Sequence, residues 1–119
     1  MHHIELNHRI EANDVLVIEL RVEKLNADNA PALLRAVKPL LARWRKVVLD
    51  LAGVQFIDGI GLAALLSCTR YLKTVQGHLH LCELSHTMSQ LCKLMRLHRT
   101  FTIHASCADV VQFFEGSPS

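Results

Sequence analysis

The sequence predicts an α/β fold: a small mixed, mostly parallel sheet of four to five strands with about four helices packed on it. Three observations lead there. Apolar runs of strand length alternate with segments of helical spacing along nearly the whole chain. The two runs at the start are separated only by a turn signal, which makes them an antiparallel pair at one edge. The remaining strand–helix–strand alternation demands parallel neighbours joined by crossover helices. The resulting order is β-β-α-β-α-β-α-β-α. Nine elements in 119 residues also require short connections, and the sequence supplies them.

Each element follows from its residues. Ile4 to Ile10 alternates apolar and polar side chains, as a half-buried strand does. Ala12-Asn13-Asp14 is the turn. Val15 to Val22 is β-branched and largely apolar, the pattern of a buried strand. Asn26 to Asn29 offers helix caps, and Pro31 suits a first helical turn, where its missing N–H is no loss. Ala30, Leu33, Leu34, Val37, Leu40 and Leu41 then mark one helical face. Pro39 is expected to kink or end that helix near Lys38. Val47-Val48-Leu49-Asp50-Leu51 reads as a central strand and Gly53 to Phe56 as a connector. Asp58-Gly59-Ile60-Gly61 opens a second helix, Leu62 to about Val75, with Gly77 as its C-terminal glycine. His78 to Leu84 alternates again as a strand, with His78 and His80 on the solvated face. Ser85 or Thr87 caps a third helix with Met88, Leu91, Cys92 and Met95 inward. Phe101 to Ile103 is a short edge strand. Ser106-Cys107-Ala108-Asp109 matches a capping box ahead of Val110, Val111, Phe113 and Phe114.

Composition bounds the rest. Residues 1–119 make a single domain, with 115–119 a frayed tail. Met1-His2-His3 has neither the length of a purification tag nor the order of a signal peptide. No stretch approaches the roughly 20 apolar residues of a membrane helix, so no membrane insertion is expected. The 13 basic and 11 acidic residues leave a net charge of +2. That is too even for a nucleic-acid binder, which shows a basic stripe. Cys68, Cys82, Cys92 and Cys107 contain no C-x-x-C, and they read as reduced core thiols of a cytoplasmic protein.

The search for chemistry finds little. No nucleophile stands beside a base and an orienting group, so no catalytic residue is assigned. His78 and His80 share a strand face but lack further ligands, so no metal and no cofactor is expected. Gly59-Ile60-Gly61 at a helix start suggests an anion site. However, the third glycine of a dinucleotide fingerprint is replaced by Ala64, and a P-loop lysine is missing. What remains is Val47 to Leu66, where a strand, a short loop and a helix N-terminus follow one another. Asp58 stands where it can cap the free N–H groups of that helix. Ile60 and Leu62 beside this exposed start are either partner contacts or core residues, and core is the better reading for Leu62.

In this segment Asp50-Leu51, Gly53-Val54, Phe56-Ile57-Asp58 and Gly61-Leu62 follow the order and spacing of the STAS domain, which the chain resembles over nearly its whole length. The resemblance implies a non-catalytic protein-interaction module like the bacterial anti-sigma-factor antagonists. In that family the protein binds an anti-sigma factor, often a serine kinase, and phosphorylation of the Ser after the motif Asp breaks the contact. It implies a partner surface at Asn26, Asp58, Gly59, Ile60, Gly61 and Leu62. Two positions depart from the family. Gly59 replaces the phosphorylatable Ser, and Ile60 carries no hydroxyl either. Asn26 stands where the family usually has an acidic residue. Regulation by phosphorylation at this loop is therefore not expected, and Ser67 and Thr69 read as packing or solvated residues rather than substitute acceptors. The alternatives are a nucleotide- or anion-binding domain, or an accessory STAS subunit of a lipid-transport or transporter complex. Unpaired β edges and Ile60 leave a homodimer open.

Overall fold

In the computed structural model, which describes residues 4–115, the apolar runs become seven strands and four helices. The strands are β1 (Leu6–Glu11), β2 (Val15–Leu20), β3 (Lys24–Leu25), β4 (Lys46–Asp50), β5 (Phe56–Ile57), β6 (His78–Cys82) and β7 (Thr102–His104). The helices are α1 (Ala30–Leu41), α2 (Gly59–Thr74), α3 (His86–Leu94) and α4 (Cys107–Glu115). Five strands form the main sheet in the order β1-β2-β4-β6-β7. β1 is antiparallel to β2, and every other neighbour is parallel. Asn13 and Asp14 take left-handed backbone conformations in the turn between β1 and β2, a region that short polar side chains tolerate best. β3 and β5 pair as a separate two-stranded ribbon, so the segment expected to be a plain connector carries a strand. Glu115 closes α4 rather than beginning a tail. The rest of that expected tail, 116–119, and the Met1-His2-His3 start lie outside the described residues.

Register decides the two faces of the sheet. Leu16 and Ile18 stand beside Val47 and Leu49, which stand beside Leu79 and Leu81. α1, α2 and α3 cover this face with Leu33, Val37, Ala64, Leu65, Leu72 and Met88 in one buried cluster. The opposite face carries Val15, Val17, Val48 and Cys82, and α4 covers it with Cys107, Val110 and Phe114. β2 and β4 read as continuous apolar runs because both of their faces are buried.

α4 corrects two sequence expectations. His80 was expected on a solvated face, yet it is only 4% exposed. Its ring lies between His104 and the Phe113 and Phe114 rings of α4, and its Nδ1 is 2.9 Å from His104 Nε2. Period-2 alternation identifies the two faces of β6 but not the helix that covers the polar one. The four cysteines were expected to be reduced, but Cys82 and Cys107 form a disulfide that ties the end of β6 to the start of α4. Cys68 and Cys92 remain free and buried, and burial pushes both thiols above the usual pKa. Chain spacing hid the pair, because 25 residues separate two positions that the fold sets side by side.

Three helix expectations are also corrected. α1 runs through Pro39 to Leu41. The ring leaves the Arg35 carbonyl without its helical donor, but both residues lie on the exposed side, where water supplies one. Met95 is half exposed beyond the end of α3 instead of inward. At the end of α2 the left-handed residue is Gln76, not Gly77. Gly77 is needed for closeness, since a Cβ there would lie 2.9 Å from both the Arg45 carbonyl oxygen and Leu72 Cδ2. Ser85 and Ser106 cap their helices as read, with their Oγ atoms accepting from the N–H groups of Met88 at 3.1 Å and Asp109 at 3.1 Å.

Two outcomes are expected. Thiol titration of the denatured, non-reduced protein should count two thiols, Cys68 and Cys92; a count of four refutes the Cys82–Cys107 pairing. Reduction should lower unfolding stability by about 2–4 kcal/mol for a loop of this length. The second outcome concerns pH. Burial, then the charges of His104 and His78, pull the His80 pKa from 6.5 down to about 4. Between those values the unfolded chain binds the proton and the folded chain does not. Stability should therefore fall as pH drops through that window, by up to roughly 3 kcal/mol. Urea unfolding of His80→Phe between pH 7 and pH 4 should lack this component, and an unchanged pH slope would refute the assignment.

Candidate functional site

The ribbon of β3 and β5 builds the site. Lys24 pairs with Phe56 and Leu25 with Ile57, which lays the turn at 26–29 alongside Asp58. The Asp58 N–H donates to the Leu25 carbonyl at 3.1 Å. Its carboxylate then joins two segments: Oδ1 accepts from the Gly61 N–H at 2.8 Å and Oδ2 from the Ala27 N–H at 3.2 Å. Asp58 is thus the N-cap of α2, in the extended backbone conformation that a cap requires. The turn holds itself. The Asn26 side chain accepts from Asp28 N–H at 3.0 Å, and its own N–H donates to the Asn29 side chain at 2.9 Å. Asn29 in turn donates to the Lys24 carbonyl at 2.7 Å. Asn26 therefore shapes the turn, while its neighbour Ala27 is the residue that touches Asp58.

The helix begins three residues earlier than its apolar spacing implied, so Gly59, Ile60 and Gly61 form its first turn. The two glycines differ. At Gly61 a Cβ would collide with the Leu25 carbonyl oxygen and lie 2.9 Å from Ile57 Cγ1, so only glycine lets α2 press onto the ribbon. At Gly59 a Cβ would meet nothing within 4 Å. Ile60 and Phe56, on either side of Asp58 in sequence, are 54% and 50% exposed. Leu62 turns inward and packs against the core. The surface is therefore a half-exposed apolar pair beside a braced acidic cap. Phe56 belongs to the sequence motif but not to the partner surface that the resemblance implies. An aromatic side chain next to a turn, with no helical or strand partner pattern, was the available signal.

Other sequence candidates do not converge here. Among the described residues, the one group of metal-ligating side chains is Asp50, Cys82 and Cys107, and its two sulfurs are already joined to each other. His78 and His80 have ring centroids 6.5 Å apart, and His80 is taken up by His104. Ser67 is exposed on α2, whereas Thr69 is buried. Among the described residues no helix is long and apolar enough to cross a membrane.

The family profile described as STAS domain matches residues 8–110. No match is found among curated protein sequences. The fold is similar to that of an anti-sigma factor antagonist from Mycobacterium paratuberculosis, with 22% identity, a TM-score of 0.78 and 92% of each chain covered. It is also similar to the Bacillus anti-sigma factor antagonist SpoIIAA in its unphosphorylated form, with 16% identity, a TM-score of 0.72, 95% of this chain and 100% of that chain. A third likeness is to murine Solute Carrier 26 family member A9, an anion transporter, with 13% identity and a TM-score of 0.77; it covers 98% of this chain but 23% of the transporter. The profile match spans most of the sequence and the sheet, helices and capped α2 start agree with it: the chain belongs to the STAS domain family.

Proposed function

We propose that this STAS domain is a non-catalytic interaction module that docks an anti-sigma factor, or a serine kinase of that type, through the surface built by Asn26, Asp58, Gly59, Ile60, Gly61 and Leu62, with Ile60 making contact and the buried Gly61 and inward Leu62 holding the helix start in place. Phe56 joins them at the rim. The observation that carries the reading is the exposed start of α2, where Ile60 on the first turn and Phe56 on β5 before it present apolar surface on either side of a cap that holds the backbone still. A rigid apolar pair at a fixed polar edge is the composition of an interaction hot spot.

The partner contact is not switched by phosphorylation at the motif position. Gly59 and Ile60 have no hydroxyl to accept a phosphoryl group, and a phosphate's charge of about −1.5 to −2 therefore never arises there. SpoIIAA has been solved in both unphosphorylated and phosphorylated forms; this chain stays in the binding-competent state. The module acts in the cytoplasm, as one domain spanning 1–119.

The nucleotide- or anion-binding alternative is disfavoured at this helix start by charge. The Asp58 carboxylate already occupies it, and a second anion would face like-charge repulsion. The transporter-accessory alternative has the shared fold in its favour and no contact residue.

Titration calorimetry with a purified anti-sigma-factor kinase tests the proposal. Ile60→Arg should weaken binding by at least about tenfold, the loss expected for one central contact, while the melting temperature stays within a few degrees. Equal affinity for Ile60→Arg and the parent would remove this face from the interface. Incubation with the kinase and ATP should leave the parent mass unchanged and add one phosphoryl group to Gly59→Ser, where a side chain has room. Asp58→Ala should cost about 0.5–2 kcal/mol of stability through the lost cap and weaken partner binding as well. If it lowers stability alone, the cap is structural and takes no part in docking.

A further inference from the structure

β1 is the long open edge of the main sheet. β2 pairs with one side of it, and among the described residues no strand lies along the other. At the opposite edge β7 has only three residues, and a strand that short makes a poor template. The pairing with β2 shows which backbone groups of β1 are free. The Arg21 N–H donates to the Glu5 carbonyl at 2.9 Å, and this pair continues the register in which Leu6 faces Leu20. Hydrogen-bonded and non-hydrogen-bonded pairs alternate along an antiparallel ladder. Glu5, Asn7, Arg9 and Glu11 therefore bond to β2. Leu6, His8 and Ile10 turn their N–H and C=O groups outward, and Ile4 continues that row.

Proteins usually blunt such an edge with Pro, Lys, a bulge or a covering segment. β1 has no Pro and no Lys, and it runs in unbroken register with β2. On the face shared with α1, α2 and α3, Ile4 and Leu6 pack against the core while Ile10 is 46% exposed. On the face shared with α4 stand charges of both signs, Glu5, Arg9 and Glu11. A second β1 running antiparallel fits this pattern, and the charges choose its register. Outward groups meet outward groups only where an even-numbered residue faces an even-numbered one. Centred on His8, the register pairs 5–11 of both copies and sets Glu5 against Glu11, like charge on like. Centred on Asn7, it pairs 4–10 and sets Glu5 against Arg9, Leu6 against His8 and Ile4 against Ile10. The second register opposes no like charges and covers the exposed isoleucine.

We infer that two copies of this chain associate edge to edge through β1, antiparallel and centred on Asn7, joining their main sheets into one. Ile4, Leu6, His8 and Ile10 of each copy exchange about eight backbone hydrogen bonds in all. Ile4 of one copy covers Ile10 of the other, and Glu5 pairs with Arg9 across the seam. Arg9 already holds Glu11 at 2.7 Å in an exposed pair, and its guanidinium has further N–H donors for a second carboxylate. The dimer is reversible, because a single strand pair with half-exposed side chains buries less than a permanent interface does. It uses neither Asp58 nor Ile60 and does not rest on the proposed partner.

Sedimentation equilibrium of the full chain between about 0.01 and 1 mM tests the pairing, with a monomer–dimer Kd on the order of 100 micromolar or tighter expected. A chain that stays monomeric throughout overturns it. His8→Pro removes an outward N–H and no bond to β2, a position where an edge strand tolerates Pro. Its melting temperature should stay within a few degrees of the parent's while the dimer weakens at least about tenfold. Charge exchange tests the register. Arg9→Glu and Glu5→Arg should each weaken association roughly fivefold or more, and the double variant Glu5→Arg/Arg9→Glu should restore it. In the His8-centred register Glu5→Arg would face Glu11 and tighten the dimer, so tightening overturns the assignment. A dimer that survives a folded His8→Pro, single exchanges that the double variant does not repair, or an assembly larger than two would also overturn it. If His8→Pro loses the fold, the charge exchange decides alone.

Discussion

The carboxylate of Asp58 holds together what the proposed docking surface needs. It accepts from Gly61 at one oxygen and from Ala27 at the other, so one side chain fixes the start of α2 against the turn that leads into α1. The close approach at Gly61 makes this geometry reachable. Without a Cβ the helix sits against the Leu25 backbone, and the ribbon of β3 and β5 stays in register. The exposed residues of the first turn are then displayed from a rigid base. Interaction surfaces gain affinity from such preorganisation because less freedom is lost on binding.

The sheet is unequally protected. Three helices cover one face, and α4 covers the other through nine residues. That second face depends on a few strong links: the Cys82–Cys107 bond, the ring cluster of His80, His104, Phe113 and Phe114, and the hydrogen bond of 2.8 Å from the Cys107 N–H to the Glu83 carboxylate. A short amphipathic helix cannot hold itself together by propensity alone. Its stability comes from what it is tied to. The same helix makes His80 a buried neutral ring and links protonation to folding.

The two ends of α2 differ in character. Its N-terminal turn presents apolar side chains beside a capped and neutralised dipole. Its C-terminal half borders a polar notch, created because β7 is shorter than β6. In both places the deciding quantity is a mismatch between neighbouring elements. At the first, a glycine lets two backbones approach. At the second, a missing stretch of strand leaves a gap that no side chain fills.

Much was legible in the residues alone. Alternation and helical spacing located the five main strands and the four helices, and turn chemistry at Ala12-Asn13-Asp14 set the one antiparallel pair. The Asp58 cap, the absence of a hydroxyl at Gly59 and the inward course of Leu62 could also be read, because each depends on neighbours within a few positions. Tertiary structure decided the rest. The partner of Cys82, the cover over His80, the contact between Asp58 and Ala27 and the unpaired edge of β6 all join residues distant in the chain. Periodicity reports which side of an element is apolar. It does not report what lies opposite, since that depends on how separate elements pack, and packing is settled by shape and burial across the whole molecule.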